Sequence, residues 1–178
     1  VAHMDGDDFY GNERSCTLAG DETLRIELHA ADGSTTLLKE VRGRAGMVVD
    51  ATVMRVAALR AFLAREIADA QAQGVLFSVH LKATMMKVSD PVIFGHVVQV
   101  FCAPVFERHG ATFTRLGVNP DLGLGDLLAR AQTLPADERA AIEADLAACL
   151  AARPPLAMVD SDRGITNLHV PSDVIVDA

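Results

Sequence analysis

Tryptophan is absent and tyrosine occurs once, so aromatic platforms for stacking bases are scarce among the 178 residues. Basic residues are also in the minority, at 16 against 24 acidic ones, for a net charge of −8. A broad nucleic-acid surface needs the opposite balance, so nucleic acid is excluded as the expected partner. The apolar runs are far shorter than a bilayer requires, so no membrane partner is expected. Residues 1–5 show no basic region followed by an apolar stretch, so the N-terminus does not read as a signal peptide. Cysteine is limited to Cys16, Cys102 and Cys149, far apart and without a CxxC pair. A thiolate zinc site therefore has no support, and reduced thiols in a cytoplasmic protein are the expectation. The six histidines have no paired ligand spacing, and no GxGxxG or Walker-type loop is present. Gly123-Leu124-Gly125 reads as no more than a turn.

What is present is apolar patterning. Half the residues are hydrophobic, and the length fits one domain with a core, or a piece of a larger one. Leu24, Ile26 and Leu28 alternate with polar residues, and Asp32-Gly33 offers a turn into a second strand over 35–41. A β-hairpin follows from this. A long helix is predicted after Asp50 as its cap, with Val53, Val56, Leu59, Phe62, Leu63 and Ile67 at helical spacing and Gly74 as its stop. Residues 75–81 read as a buried strand. Asp90-Pro91 then starts a helix towards Arg108, stopped at Gly110, in which Pro104 forces a kink or an early end. Residues 116–125 read as a loop, 126–132 as a short helix and 135–152 as a strong one. Residues 156–159 look like a further buried strand, and Pro171-Ser172-Asp173 like one more helix start. Strands alternating with helices predict an α/β fold, with a mixed sheet, packed helices and an N-terminal β-hairpin.

Two residues stand out chemically. Lys82 follows a buried strand, where α/β proteins place ligand-binding groups, and a partly desolvated lysine there can exchange a proton. Thr84 and Lys87 beside it suit a carboxylate or phosphate. The plainer reading is that strand ends are polar. Asp177 sits in the first turn of the last predicted helix, where an acid ordinarily serves the helix dipole. A single carboxylate is a small part of a magnesium or manganese site. Asp160, Asp162 and Thr166 resemble a calcium loop only weakly, since the further acids and terminal Glu are missing.

Longer stretches carry a resemblance. His80-Leu81-Lys82-Ala83-Thr84-Met85-Met86-Lys87-Val88-Ser89-Asp90-Pro91 resembles a signature of the monomeric NADP-dependent isocitrate dehydrogenases. Residues 159–178, from Val159-Asp160-Ser161-Asp162 to Val176-Asp177-Ala178, resemble a second. Asp50-Ala51-Thr52-Val53-Met54 and residues 11–15 fit the same family. The likeness covers essentially the whole chain, with 112–153 the least specific part.

The resemblance implies oxidative decarboxylation of isocitrate to 2-oxoglutarate with NADP and a divalent metal, Mg or Mn. It implies that Lys82 is a catalytic and substrate-binding lysine, that Asp177 is a metal ligand, and that no cofactor-binding residue lies in this stretch. It also implies that the chain is the first part of a large domain built by internal duplication, related to isocitrate/isopropylmalate dehydrogenase large domains. Residues 1–48 are then a hairpin-rich segment and 49–178 an α/β segment. The family's enzymes are several times longer, and their catalytic tyrosine, which is not Tyr10, has no counterpart here. The chain alone is therefore expected to be inactive. The alternative is a non-enzymatic module that binds a protein partner or self-associates as a homo-oligomer.

Overall fold

The computed structural model describes residues 1–79 and 88–171. The chain divides into two compact units, His3–Leu59 and Arg60–Ala178.

The first unit is built from four strands, β1 (Arg14–Thr17), β2 (Glu22–His29), β3 (Thr35–Gly43) and β4 (Val48–Ala51). The expected hairpin forms as β2 against β3, antiparallel from Glu22↔Gly43 to His29↔Thr35, with a bulge between Ile26 and Glu27. Its turn closes through Ala30 N–H to Ser34 O at 2.9 Å, and Asp32 Oδ1 accepts from Ser34 N at 2.9 Å. A second pair, β1 with β4, places Asp50 opposite Ser15. Asp50 is therefore a strand residue and not a helix cap. The β-branched pair Val48-Val49 and the partner strand win over the capping signal. Two-stranded ribbons cover neither of their faces, and Leu18 is the only large apolar side chain buried in this unit ahead of the helix that follows. Leu18 lies against Gly43, where a Cβ would collide with it.

The helix α1 spans Val56–Gln73, starting six residues later than its predicted cap. Leu59, Leu63, Ile67 and Ala70 are its buried stripe, and Gly74 ends it at φ +64° as expected.

The second unit is helical at its centre. Helix α2 (Ser89–Phe101) buries Phe94, Val97, Val98 and Phe101. Val88, not Asp90, holds the capping position. Asp90 lies in the first turn, largely buried, and accepts from the Ser89 hydroxyl at 3.4 Å. After Cys102 the chain bends by 110° into α3 (Ala103–Leu116). Pro104 is the cause: it lacks an N–H and its ring would strike the preceding turn, so it begins a new helix instead of kinking the old one. Gly110 lies inside α3, and the stop is Gly117 at φ +66°. A 3-10 turn (Pro120–Leu122) occupies part of the predicted loop, followed by α4 (Leu124–Ala131) and α5 (Ala136–Ala151). Helix α5 matches expectation, with Asp137 and Glu138 in its first turn and Ile142, Leu146 and Cys149 buried.

The strands depart from expectation. Met158–Asp160 (β5) and Ile165–Thr166 (β6) form a small antiparallel pair. Among the described residues there is no mixed sheet, only three two-stranded antiparallel ones and a single parallel bridge, Phe77↔Leu156. Val75, Leu76, Met158 and Val159 are 47%, 59%, 47% and 63% exposed, so neither predicted strand is buried as a whole. Leu156 is buried, and Phe77, half-buried, sets its ring 5.7 Å from that of Phe101 in a tilted pair. Short apolar runs signal burial without saying how much of the run is used. Among the described residues, no single helix is long and apolar enough to cross a membrane.

Candidate functional site

Lys82 and Asp177 both lie outside the described residues, as do Thr84, Lys87 and the predicted helix start at Ser172-Asp173. What can be built is the ground from which those two segments depart, and it lies within the second unit.

Three pieces of backbone meet there. Phe77 N–H donates to Pro155 O at 2.8 Å, Ala157 N–H to Phe77 O at 3.0 Å, and Asn167 N–H to Ala157 O at 2.9 Å. The Asn167 side chain then reaches across, its Nδ2 donating to Val79 O at 2.9 Å and to Ser78 Oγ at 3.3 Å. Asn167 is buried, and its Oδ1 has no hydrogen-bond partner among the described residues. Val79 stands three residues before Lys82, and Asn167 ten before Asp177. Asn167 thus ties the backbone that leads towards Lys82 to the loop that leads towards Asp177.

The loop around Asn167 is held from below. Leu124 N–H donates to Leu168 O and Gly125 N–H to His169 O, both at 2.9 Å. These are amides of the first turn of α4, which have no acceptor within the helix and find one in the loop. Gly123 adopts φ +84°, and a Cβ on it would strike the His169 carbonyl. The glycines at 123 and 125 are therefore a cradle for the 167–169 loop, not merely a turn. His169 Nδ1 accepts from Thr166 N–H at 3.0 Å and faces the Thr166 hydroxyl at 2.9 Å. Burial holds its pKa below the ordinary value of 6.5, against the Thr166 backbone bond. The neutral ring with its proton on Nε2 fits this arrangement.

Nearby, the 3-10 turn rests on α2 through Gly95, where a Cβ would collide with the Asp121 carboxylate. His96 on the same helix is also held below its ordinary pKa, by burial first and then by the Arg60 guanidinium. Arg60 donates to Gln99 Oε1 at 3.0 Å.

The weak calcium-loop reading gains no support. Asp160 Oδ1 accepts from Arg163 N at 3.2 Å, which is a turn, and no group of three or more His, Cys, Asp or Glu gathers to hold a metal among the described residues. In the first unit a cleft of about 440 Å³ is lined by Phe9, Tyr10, Glu13, Asp50, Ala51 and Thr52. There the neighbouring Asp50 carboxyl raises the Glu13 pKa. Sequence reasoning gave Asn167 no role and read Gly123-Leu124-Gly125 only as a turn. A Gly-x-Gly at the start of a helix was the available signal for the cradle; nothing local marked Asn167.

Comparison with known proteins finds similarity over the full length of the chain. The family model described as "Monomeric isocitrate dehydrogenase" matches residues 1–178. Isocitrate dehydrogenase [NADP] of Azotobacter vinelandii is 54% identical over 179 residues, covering 100% of this chain and 24% of that protein. Isocitrate dehydrogenase [NADP] 2 of Colwellia maris is 55% identical, and that of Mycobacterium tuberculosis 50%, with the same coverage. The chain thus spans about a quarter of the length of the curated relatives it matches. With its whole length matched by one family model, the chain belongs to the monomeric isocitrate dehydrogenase family.

Proposed function

We propose that the chain contributes part of the active site of an NADP-dependent isocitrate dehydrogenase, which oxidises and decarboxylates isocitrate to 2-oxoglutarate. The observation that carries this is identity of 54% across the entire chain with a relative of that name. In this reading Lys82 contacts the substrate and moves a proton, a role that suits a lysine of tuned pKa. Asp177 is one ligand of a divalent ion, Mg or Mn. The tie between Asn167 and Val79 supports the reading, because it joins the backbone three residues before Lys82 to the loop ten residues before Asp177.

The described residues do not by themselves fit a metal or NADP. They gather no metal-ligand cluster, and the sequence has no phosphate-cradling glycine loop. In this reading the remaining metal ligands and the cofactor site belong to other parts of the family's longer chains, of which this chain matches about a quarter, and the 178-residue chain alone is inactive. The test is NADPH formation from isocitrate, NADP and magnesium. The isolated chain is expected to give none, and a chain of the relatives' full length to give turnover; clear turnover by the 178-residue chain alone refutes the inactivity. In the longer protein, Lys82→Met is expected to lower kcat by roughly 10²–10⁴-fold, the range of lost general acid–base catalysis. A near-normal kcat would sink the assignment of Lys82.

A second reading, a module that self-associates, has one observation in its favour. Ile26, Leu28, Leu37 and Leu38 of the β2–β3 hairpin are all exposed. Sedimentation of the chain at high concentration tests it, and a clean monomer counts against it.

A further inference from the structure

The corner between α2 and α3 holds a feature that isocitrate oxidation does not use. Cys102 forms the corner itself and is fully buried, and Cys149 on α5 is 7% exposed. The two side chains are neighbours, Cys149 packing against the backbone that leads into Cys102. Cys149 Sγ lies 3.5 Å from the Phe101 carbonyl, the residue preceding Cys102, and that carbonyl accepts from Arg153 Nε at 3.2 Å. Only one of the pair meets solvent: Cys149 lines a cleft of about 270 Å³ with Pro104, Val105, Arg108, Asp145 and Ala148. The Asp145 carboxylate in this cleft is already paired, with Arg108 Nη1 at 2.6 Å and His109 Nε2 at 2.7 Å.

We propose that Cys102 and Cys149 are a peroxide-reactive pair, with Cys149 the attacking thiol and Cys102 the resolving one, joined as a disulfide on oxidation. The ionisation state fits the roles. Cys149 is lowered to about 6, by the hydrogen bond from the Cys102 thiol first and, against burial, by Arg153. Cys102 is pushed upward by its hydrogen bond to Cys149 and by burial, so it keeps its proton. As a thiol Cys149 donates to the Phe101 carbonyl; as a thiolate it accepts from Cys102 instead.

The steps balance. The Cys149 sulfur attacks one peroxide oxygen, the O–O bond breaks, and the other oxygen leaves as water after taking a proton. Cys149 is now a sulfenic acid. The Cys102 sulfur attacks it, the S–O bond breaks, and a second water leaves with the Cys102 proton. The pair loses two electrons and the peroxide gains them. The new bond staples the α2–α3 corner to α5.

The exposed Cys16 is the internal contrast. In the Cys16→Ser chain, hydrogen peroxide followed by denaturation, alkylation and non-reduced peptide mass spectrometry should show Cys102 and Cys149 lost together in one cross-linked peptide pair. Adding Cys102→Ser should leave Cys149 as a sulfenic acid that a cyclic dione traps. Adding Cys149→Ser should leave Cys102 alkylatable at the same dose. Circular dichroism verifies that each variant is folded; if either double variant is not, the Cys16→Ser chain decides alone. The proposal is overturned if both thiols stay alkylatable at a dose that oxidises Cys16 in the unsubstituted chain. It is equally overturned if they link only after the chain is unfolded in urea.

Discussion

The two units of this chain put their apolar residues to different ends. In His3–Leu59 the strands are well paired, yet Ile26, Leu28, Leu37, Leu38 and Val48 stay between 44% and 63% exposed. In the unit from Arg60 onward, Val98, Phe101, Leu124 and Leu168 are at 0%. The difference is geometric. A helix buries its stripe against any neighbouring helix, and α2 to α5 supply neighbours within one stretch of chain. A two-stranded ribbon satisfies its backbone but needs a third element to cover a face. Backbone pairing and core burial are therefore separable, and the helical unit carries most of the hydrophobic stabilisation.

The largest effect expected from this contrast is at Phe101. Phe101→Ala removes a fully buried ring that touches Phe77, and should cost about 3–5 kcal/mol, read as a lower urea midpoint of the helical signal. A loss below about 1 kcal/mol would mean that the helical core is not where stability resides.

A smaller effect is expected where the second unit supports its loop. Gly123→Ala forces a side chain into a left-handed position against the His169 carbonyl, at an expected cost of about 1–3 kcal/mol. Limited proteolysis should find residues 164–171 cut sooner, while the β2–β3 hairpin is cut at an unchanged rate. Equal acceleration in both units would erase the distinction drawn between them.

The smallest effect belongs to the ribbon. Leu38→Thr sits at 60% exposure and should change the stability of the chain by no more than about 0.5 kcal/mol. If the chain self-associates, the same substitution should shift its sedimentation towards monomer; a large stability loss with no such shift would show that the hairpin is covered within the chain.

Legibility followed the same divide. The β2–β3 hairpin and α5 were readable because alternation, a turn dipeptide and a helical stripe are local signals. The start of α1 was misread because Asp50 looks like a cap until its partner strand, 35 residues away at Ser15, is known. The α2–α3 break was half readable: Pro104 announced an interruption, but not a 110° corner. Of the site, Lys82 and Asp177 came from family resemblance, whereas Asn167 and the Gly123–Gly125 cradle act only through contacts with distant backbone. Such roles leave little local trace, because an asparagine before an apolar residue has the same appearance in any loop.

The Asn167–Val79 tie has a kinetic side. It joins positions 88 apart, so closing it from an unstructured chain costs about 4 kcal/mol in the logarithmic term of loop closure alone. One side-chain bond cannot meet that cost. Helices α2 to α5 rest on short-range contacts and can assemble first, shrinking the gap that the asparagine must span. In the order of events during folding, the meeting of Asn167 with the Val79 backbone is thus a late step, reached only after the helical framework between them stands.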